Sequence, residues 1–178
     1  MALRGTLKDP QGAPIANASV TATPSLRFSW SLAPADEDFL AQIPAATATT
    51  PDSGDFVVWV DPYLAGVWGH YDLSVEPASG TDSPLWAVRD IEIPRAGQTV
   101  VTLGDVTVPD AANIHGRITD PTGNPVEGGE LRVFSVSADQ SLCGDVSYPP
   151  SGCVIPAQLV GHGTSDSLGV VRLTLPRP

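Results

Sequence analysis

One short stretch carries the residue types of a hydrolase site. Residues 160–166 read Val-Gly-His-Gly-Thr-Ser-Asp and bring His162, Ser165 and Asp166 close together in sequence. A Ser-His-Asp triad needs a nucleophile on a sharp elbow, with its base held by another element beside an oxyanion hole. These three residues share one loop-to-strand stretch and cannot converge from separate elements. We therefore predict no catalytic residues and no enzyme activity.

Metal chemistry is the second option. His70, His115 and His162 do not form any paired-histidine motif. A non-haem iron site of two tyrosines and two histidines has candidate residues, but their spacing matches no motif. These candidates are Tyr63, Tyr71, Tyr148, His70 and His162. We predict no metal and no cofactor.

Acidic residues offer oxygen ligands of the kind that Ca²⁺ prefers. They lie at residues 36–38 and at Asp52, Asp55 and Asp61, without the regular acidic loop of a calcium site. We interpret them as solvated acids, and Ca²⁺ binding stays an open question. Lys8 is the only lysine, and its position at a turn makes an isopeptide cross-link to asparagine unexpected.

The two cysteines predict a disulfide. Cys143 and Cys153 flank a segment rich in proline, glycine and serine, which should turn back on itself. A Cys143–Cys153 bridge would indicate an oxidising compartment. Two free, buried thiols are the alternative.

A recognition surface is the remaining candidate. Residues 32–48 read as an insertion between strands, which would cap one end of a sandwich or present a binding loop. The candidate recognition residues are Phe39, Leu40, Trp59, Trp68 and Trp86. Packing in the core or at a sheet edge is the competing explanation for these side chains.

Short alternating strands must position all of these residues. Phe56, Val58 and Val60 share one face with Trp59 on the other, and Tyr71, Leu73 and Val75 form a second such group. The helix pattern is weak everywhere, with residues 35–43 as its best candidate. Turn residues separate the strands, and the whole pattern is typical of an all-β sandwich.

One turn motif occurs twice. Asp-Pro-x-Gly-x-Pro-aliphatic appears first at residues 9–15 and again at residues 120–126, each time after an alternating strand. Its shared positions are Asp9, Pro10, Gly12 and Pro14 in the first repeat and Asp120, Pro121, Gly123 and Pro125 in the second. The aspartate can accept local backbone N–H bonds, proline fixes φ, and glycine supplies a positive φ. Gly54 and Gly169 align later, so we predict an internal repeat.

The repeated turn, the Asp-x-x-Gly strand and the stretch "YDLSVEP" at residues 71–77 resemble the carboxypeptidase regulatory-like, or prealbumin-like, domains. That resemblance implies two tandem transthyretin-like, Ig-like β-sandwiches from secreted or surface bacterial proteins. We expect domains at residues 1–109 and 110–178, the second abbreviated at its C-terminal end and packed against the first or against another molecule. The related hydroxyisourate hydrolases end in Tyr-Arg-Gly-Ser, which the Leu-Pro-Arg-Pro ending here does not match.

The composition and net charge restrict the classes of binding partner. A net charge of −11 argues against nucleic-acid binding and against anionic membrane surfaces. No apolar run is long enough to insert into a bilayer. No signal segment is visible, and we expect a longer natural precursor for a secreted, periplasmic or surface protein. The predicted function is a non-catalytic structural or protein-interaction module, with a protein partner or self-association. The alternative is a carbohydrate- or cell-wall-binding module that uses the tryptophans and the acidic insertion.

Overall fold

A computed structural model of the chain describes residues 1–25, 45–61, 70–78, 80–93, 99–136 and 157–177. Every regular element in these ranges is a β-strand, so the predicted all-β fold class is confirmed. The strands are β1 (Ala2–Lys8), β2 (Ser19–Pro24), β3 (Ala46–Thr49), β4 (Asp55–Trp59), β5 (His70–Glu76), β6 (Trp86–Glu92), β7 (Val100–Thr107), β8 (Ala111–Arg117), β9 (Glu130–Val136), β10 (Ala157–Thr164) and β11 (Val170–Pro176).

The chain divides into two compact units. Unit 1 comprises Met1–Asp110 with Pro176–Pro178, and unit 2 comprises Ala111–Leu175. No helix among the described residues has the length and apolar character needed to cross a membrane.

Unit 1 is a sandwich of two sheets around one core. One sheet has the order β4-β1-β7, and the other has the order β3-β2-β5-β6. Strand β1 runs antiparallel to β4 and parallel to β7. Buried side chains from both sheets share the core, including Leu3, Leu7, Val20, Phe56, Val58, Tyr71, Leu73 and Val75.

Alternation decides which side chains fill this core. In β4, Phe56 and Val58 are buried, while Val57 and Trp59 are exposed on the opposite face. Successive side chains of a strand point to opposite faces, so a half-buried strand needs apolar residues at every second position. The faces predicted for Phe56, Val58 and Trp59, and for Tyr71, Leu73 and Val75, are confirmed.

Unit 2 contains two two-stranded sheets, β11-β8 and β10-β9. Val171 and Leu173 of β11 are buried. Ile114 of β8 and Leu131 of β9 remain exposed, although each follows the apolar alternation of its strand. Among the described residues, unit 2 therefore buries fewer large apolar side chains than unit 1.

The predicted insertion at residues 32–48 is wrong at its C-terminal end. Ala46 and Ala48 belong to β3, which pairs antiparallel with β2 through Ala46↔Ala22 and Ala48↔Val20. Ala46 and Ala48 are partly buried and Thr47 and Thr49 are exposed, so this strand alternates as the others do, with alanine on its inner face. The rest of the insertion and the helix candidate at residues 35–43 lie outside the described residues.

Candidate functional site

The first Asp-Pro turn uses its carboxylate to close the backbone. Asp9 Oδ1 accepts hydrogen bonds from the N–H groups of Gln11 at 2.9 Å and Ala13 at 2.7 Å. Gly12, with φ of 86°, donates its N–H to the Asp9 carbonyl at 3.0 Å. Pro10 fixes the entry to this turn, and Pro14 forms a β-bridge with Lys8 where the chain returns.

The second turn repeats this geometry. Asp120 Oδ1 accepts the N–H groups of Thr122 at 2.9 Å and Asn124 at 2.8 Å, and Gly123 has φ of 90°. The Thr122 hydroxyl, and then the Asn124 N–H, hold the pKa of Asp120 below its usual value. Pro121 follows the aspartate, and Pro125 bridges to Thr119. In both turns, the aspartate carboxylate accepts hydrogen bonds from the backbone of its own turn.

A buried hydroxyl in unit 1 joins separate segments. Thr50 Oγ1 donates to the Ile15 carbonyl at 2.8 Å and accepts the Ala18 N–H at 2.9 Å. The Thr50 backbone also bonds to Ala18 and Asn17. Thr50 therefore satisfies backbone groups just before β2 that would otherwise be buried without partners.

Ser165 makes the same bonds in unit 2. Its Oγ donates to the Val126 carbonyl at 2.6 Å and accepts the Gly129 N–H at 2.9 Å. This is the serine of the hydrolase candidate, and its buried hydroxyl already has both a donor and an acceptor in the backbone. His162, by contrast, is exposed on β10. Ser165 is therefore a structural residue that stabilises the backbone around it.

Thr50 and Ser165 were not predicted as a pair from the sequence. The signal was present, because each lies four residues before one of the aligned glycines, Gly54 and Gly169. Those glycines have φ of 74° and 76°. A Cβ on either one would lie 2.5 Å from a backbone oxygen, of Leu7 or of Ile118 respectively. The repeat therefore includes a close backbone approach as well as a turn.

Of the five candidate recognition residues, Trp59 is the one that the structure places at the surface. Its side chain on β4 is 70% exposed, and neighbouring Val57 is 48% exposed. Trp86 is partly buried and packs against the core of unit 1, so its better interpretation is core packing. Phe39, Leu40 and Trp68 lie outside the described residues.

Unit 2 exposes apolar side chains on its strands. Phe134 of β9 is 50% exposed, Ile114 of β8 is 46% exposed, and Leu131 of β9 is 37% exposed. Beside Phe134 on the same face of β9, Arg132 binds Glu130 through Nε at 2.7 Å and Nη2 at 3.0 Å. Leu131 and Phe134 lie on opposite faces of β9, and Ile114 belongs to the other sheet of unit 2, so these are separate exposed apolar positions at which another protein could pack.

Several of the described charged side chains have partners within the fold. Lys8 Nζ forms an ion pair with Asp105 at 2.8 Å, and the lysine stays partly exposed. Hydrogen bonds from the Ser53 and Thr6 hydroxyls lower the pKa of Asp55. Among the described residues, no group of histidine, cysteine or acidic side chains is arranged to hold a metal ion. Cys143 and Cys153 lie outside the described residues, so their disulfide stays a prediction.

No protein-family model and no curated protein matches this chain. Similar solved structures include a streptococcal ancillary pilin, which is 15% identical over 99% of this chain and 50% of the pilin chain, with a TM-score of 0.38. The Bacillus anthracis TIE protein is 13% identical over 98% of this chain and 26% of its own, with a TM-score of 0.33. A 9R-lipoxygenase from Cyanothece PCC8801 is 14% identical over 61% of this chain and 16% of its own, with a TM-score of 0.38. This chain thus spans half or less of each of these proteins.

Proposed function

We propose that this chain is a non-catalytic structural or protein-interaction module of an exported or cell-surface protein. The observation that carries the proposal is the exposure of apolar strand residues in both units. Trp59 and Val57 reach solvent on β4, and Phe134, Ile114 and Leu131 reach solvent in unit 2. Exposed apolar side chains on a rigid sheet are suited to burial against another protein.

The use of the polar residues supports a non-catalytic role. Asp9 and Asp120 bind the backbone of their own turns, and Thr50 and Ser165 bind buried backbone groups. A catalytic group must instead be available to a substrate in a cleft. The polar side chains of the repeat that could otherwise do chemistry therefore stabilise the backbone of the fold.

The proposal of an exported location is supported by the repeated turn motif, which resembles the prealbumin-like modules of secreted and surface bacterial proteins. A Cys143–Cys153 disulfide, which we also propose, would fit the same oxidising compartment. We further propose that residues 1–109 and 110–178 are tandem transthyretin-like domains, as the repeated motif suggests.

Surface crosslinking in the source cells tests this function. An antibody raised against the chain should label intact cells, and a membrane-impermeant crosslinker should join the chain to another protein or to itself. Trp59→Ser and Phe134→Ser should reduce crosslinking at their respective surfaces, whereas Thr49→Ser, a matched change at an exposed strand position, should not. Confinement of the chain to the reducing cytosol would contradict the proposal.

Trp59 also favours a second candidate function, which is glycan binding. Sugars stack on exposed aromatic rings through their apolar faces, and Trp59 is the most exposed aromatic side chain described. Titration with cell-wall oligosaccharides should then change tryptophan fluorescence in the wild type but not in Trp59→Ser. An unchanged wild-type spectrum at saturating oligosaccharide would exclude this alternative.

A further inference from the structure

We propose that the outer face of strands β8 and β11 in unit 2 binds an extended acidic segment of another protein. The charged side chains that would contact this segment are His115, Arg117 and Arg172, and Leu168 lies at one end of the face. This inference deepens the proposed protein-interaction function and rests on it. All four residues are described by the structure.

Two hydrogen bonds set β8 and β11 side by side in antiparallel order. The residue just after β8 donates its N–H to the carbonyl of the residue just before β11 at 2.8 Å. Near the opposite ends of the strands, Thr174 Oγ1 donates to Asn113 Oδ1 at 2.9 Å. Arg172 precedes Thr174 by two residues, and His115 follows Asn113 by two. Arg172 and His115 are therefore level with each other on neighbouring strands.

Burial shows which side of this pair is the outer face. Val171 of β11 is buried and the next residue, Arg172, is exposed, so the two side chains point to opposite faces. A Cβ on Gly116 of β8 would lie 4.0 Å from Val171 Cγ1, so Gly116 faces the buried side. Its neighbours His115 and Arg117 are both exposed and therefore face outward with Arg172.

The outward residues of these two strands include no acidic side chain. They are Ala111, Asn113, His115 and Arg117 on β8, and Val170, Arg172, Thr174 and Pro176 on β11. Two arginines and a histidine thus lie close together on a chain whose net charge is −11. Charges of opposite sign attract across an interface and like charges repel, so this face selects an acidic partner.

The aligned face of unit 1 has a different charge. There, Asp55 Oδ1 accepts a hydrogen bond from Thr6 Oγ1 at 2.8 Å. In the alignment of the repeats, Val170 takes the place of this aspartate and Arg117 takes the place of this threonine. One acidic group is thus removed from the face in unit 2, and one arginine is added.

A second pair of aligned positions continues this difference. Arg172 takes the place of the exposed Val57, and His115 takes the place of Arg4. The face therefore changes from one arginine and one aspartate in unit 1 to two arginines and one histidine in unit 2. Because both units pair these strands in the same way, the added charge is not required by the fold and is available to a partner.

The turn before β11 orients Arg117. Its Nε donates to the Leu168 carbonyl at 3.1 Å. A guanidinium carries five N–H donors in a planar fork, so this bond directs the group and leaves donors for a carboxylate. Asp166 of the same turn binds the backbone N–H groups of Leu168 and Val170 through Oδ1, each at 2.9 Å. The Leu168 side chain is 66% exposed and takes the place of Ser53, so an apolar residue of the partner can pack there.

An acidic polypeptide fits this face better than other anions do. Successive outward residues of a strand lie about 6.8 Å apart, and so do the carboxylates at alternate residues of an extended peptide. Sugars stack on aromatic rings, and the outward residues of β8 and β11 include no tryptophan, tyrosine or phenylalanine. Nucleic acid would be repelled by the acidic chain as a whole.

Peptide binding to the full chain tests the proposal. The probe is the peptide Asp-Thr-Asp-Val-Asp-Leu with a neutral fluorophore, and its matched control has asparagine in place of each aspartate. In fluorescence anisotropy, the aspartate peptide should bind about tenfold more tightly, because its carboxylates meet the two arginines and the histidine. Raising the salt concentration from about 50 to about 200 mM should weaken binding of the aspartate peptide alone.

Variants locate the binding. Arg172→Gln and Arg117→Gln should each weaken binding of the aspartate peptide about threefold to fivefold. Arg132→Gln removes the same charge from an exposed position on β9 and should leave this affinity unchanged. The double variant Arg117→Glu/Arg172→Glu should prefer a matched peptide with lysine in place of each aspartate. Amide hydrogen exchange that matches the wild type shows that unit 2 of each variant is folded.

Equal affinity for the aspartate and asparagine peptides would overturn the proposal, as would an equal loss in Arg132→Gln. Tighter binding of an oligomer of uronic acid that depends on Arg172 would overturn it in favour of an acidic glycan. A dimer in light scattering that Arg117→Glu/Arg172→Glu dissociates would overturn it in favour of a second copy of the chain. Crosslinking to another protein on intact cells that persists in this double variant would leave the proposed function standing, so the two failures are distinguishable.

Discussion

Thr50→Val should destabilise unit 1 strongly, although it changes almost no volume. The valine removes a hydroxyl that donates to the Ile15 carbonyl at 2.8 Å and accepts the Ala18 N–H at 2.9 Å. Thr50 is 1% exposed, so water cannot replace these bonds without opening the structure. Each buried group left without a partner costs about 1–3 kcal/mol, and we expect a total loss of about 2–4 kcal/mol.

Urea unfolding followed by tryptophan fluorescence measures this loss in unit 1 alone. All four tryptophans, Trp30, Trp59, Trp68 and Trp86, precede residue 110. With a slope of about 1.5–2 kcal/mol per molar urea, the midpoint should fall by roughly 1–2.7 M and the slope should stay unchanged.

The control is Thr47→Val on β3. Thr47 Oγ1 lies 3.0 Å from Thr21 Oγ1 on an exposed face, where water can replace the bond. This variant should stay within about 0.5 kcal/mol of the wild type. If Thr50→Val unfolds at the same urea concentration as Thr47→Val, the buried hydroxyl does not stabilise the sandwich and the reasoning is refuted.

Two further predictions concern backbone geometry and ionisation in unit 1. Gly54→Ala places a Cβ 2.5 Å from the Leu7 carbonyl oxygen at a positive φ, and should lower the free energy of unfolding by about 2–4 kcal/mol in the same urea assay. Gly12→Ala is also at a positive φ but has open space around it, so it should lower the free energy of unfolding by only about 1 kcal/mol. Burial, followed by the charge of Asp61, raises the pKa of Tyr71 to about 12. A raised folded-state pKa stabilises the protein below the usual tyrosine value, and this stability is lost as the pH rises from 10 to about 12. The midpoint of Tyr71→Phe should therefore fall less across this interval than that of the wild type, and equal falls would contradict the assignment.

The buried faces of these strands could be predicted from the sequence, because large apolar residues recur at every second position. Phe56, Val58 and Val60 alternate with polar or exposed positions, and the structure buries all three. Strand β3 was missed for the opposite reason. Its alanines and threonines carry little hydrophobic signal, and pairing with β2 defines it as a strand.

Long-range pairing was also outside the reach of sequence patterns. The parallel contact between β1 and β7 joins Ala2 to Val100, with a register shift between Arg4 and Gly5. Local turn residues give no information about such a pairing, because it depends on how the whole sandwich closes. The exposure of Leu131 was likewise beyond the sequence pattern, since the aligned Val20 of unit 1 is buried.

The same backbone hydrogen bonds recur in the described parts of both units. The N–H of Leu7 in β1 donates to the Gly54 carbonyl at 2.8 Å, and the N–H of Ile118, just after β8, donates to the Gly169 carbonyl at 2.8 Å. Unit 2 keeps this bond and the Ser165 bonds without any described counterpart of β5, β6 or β7. The four strands that the two units share are therefore joined by the same long-range bonds in both, whereas β5, β6 and β7 add buried residues to the core of unit 1.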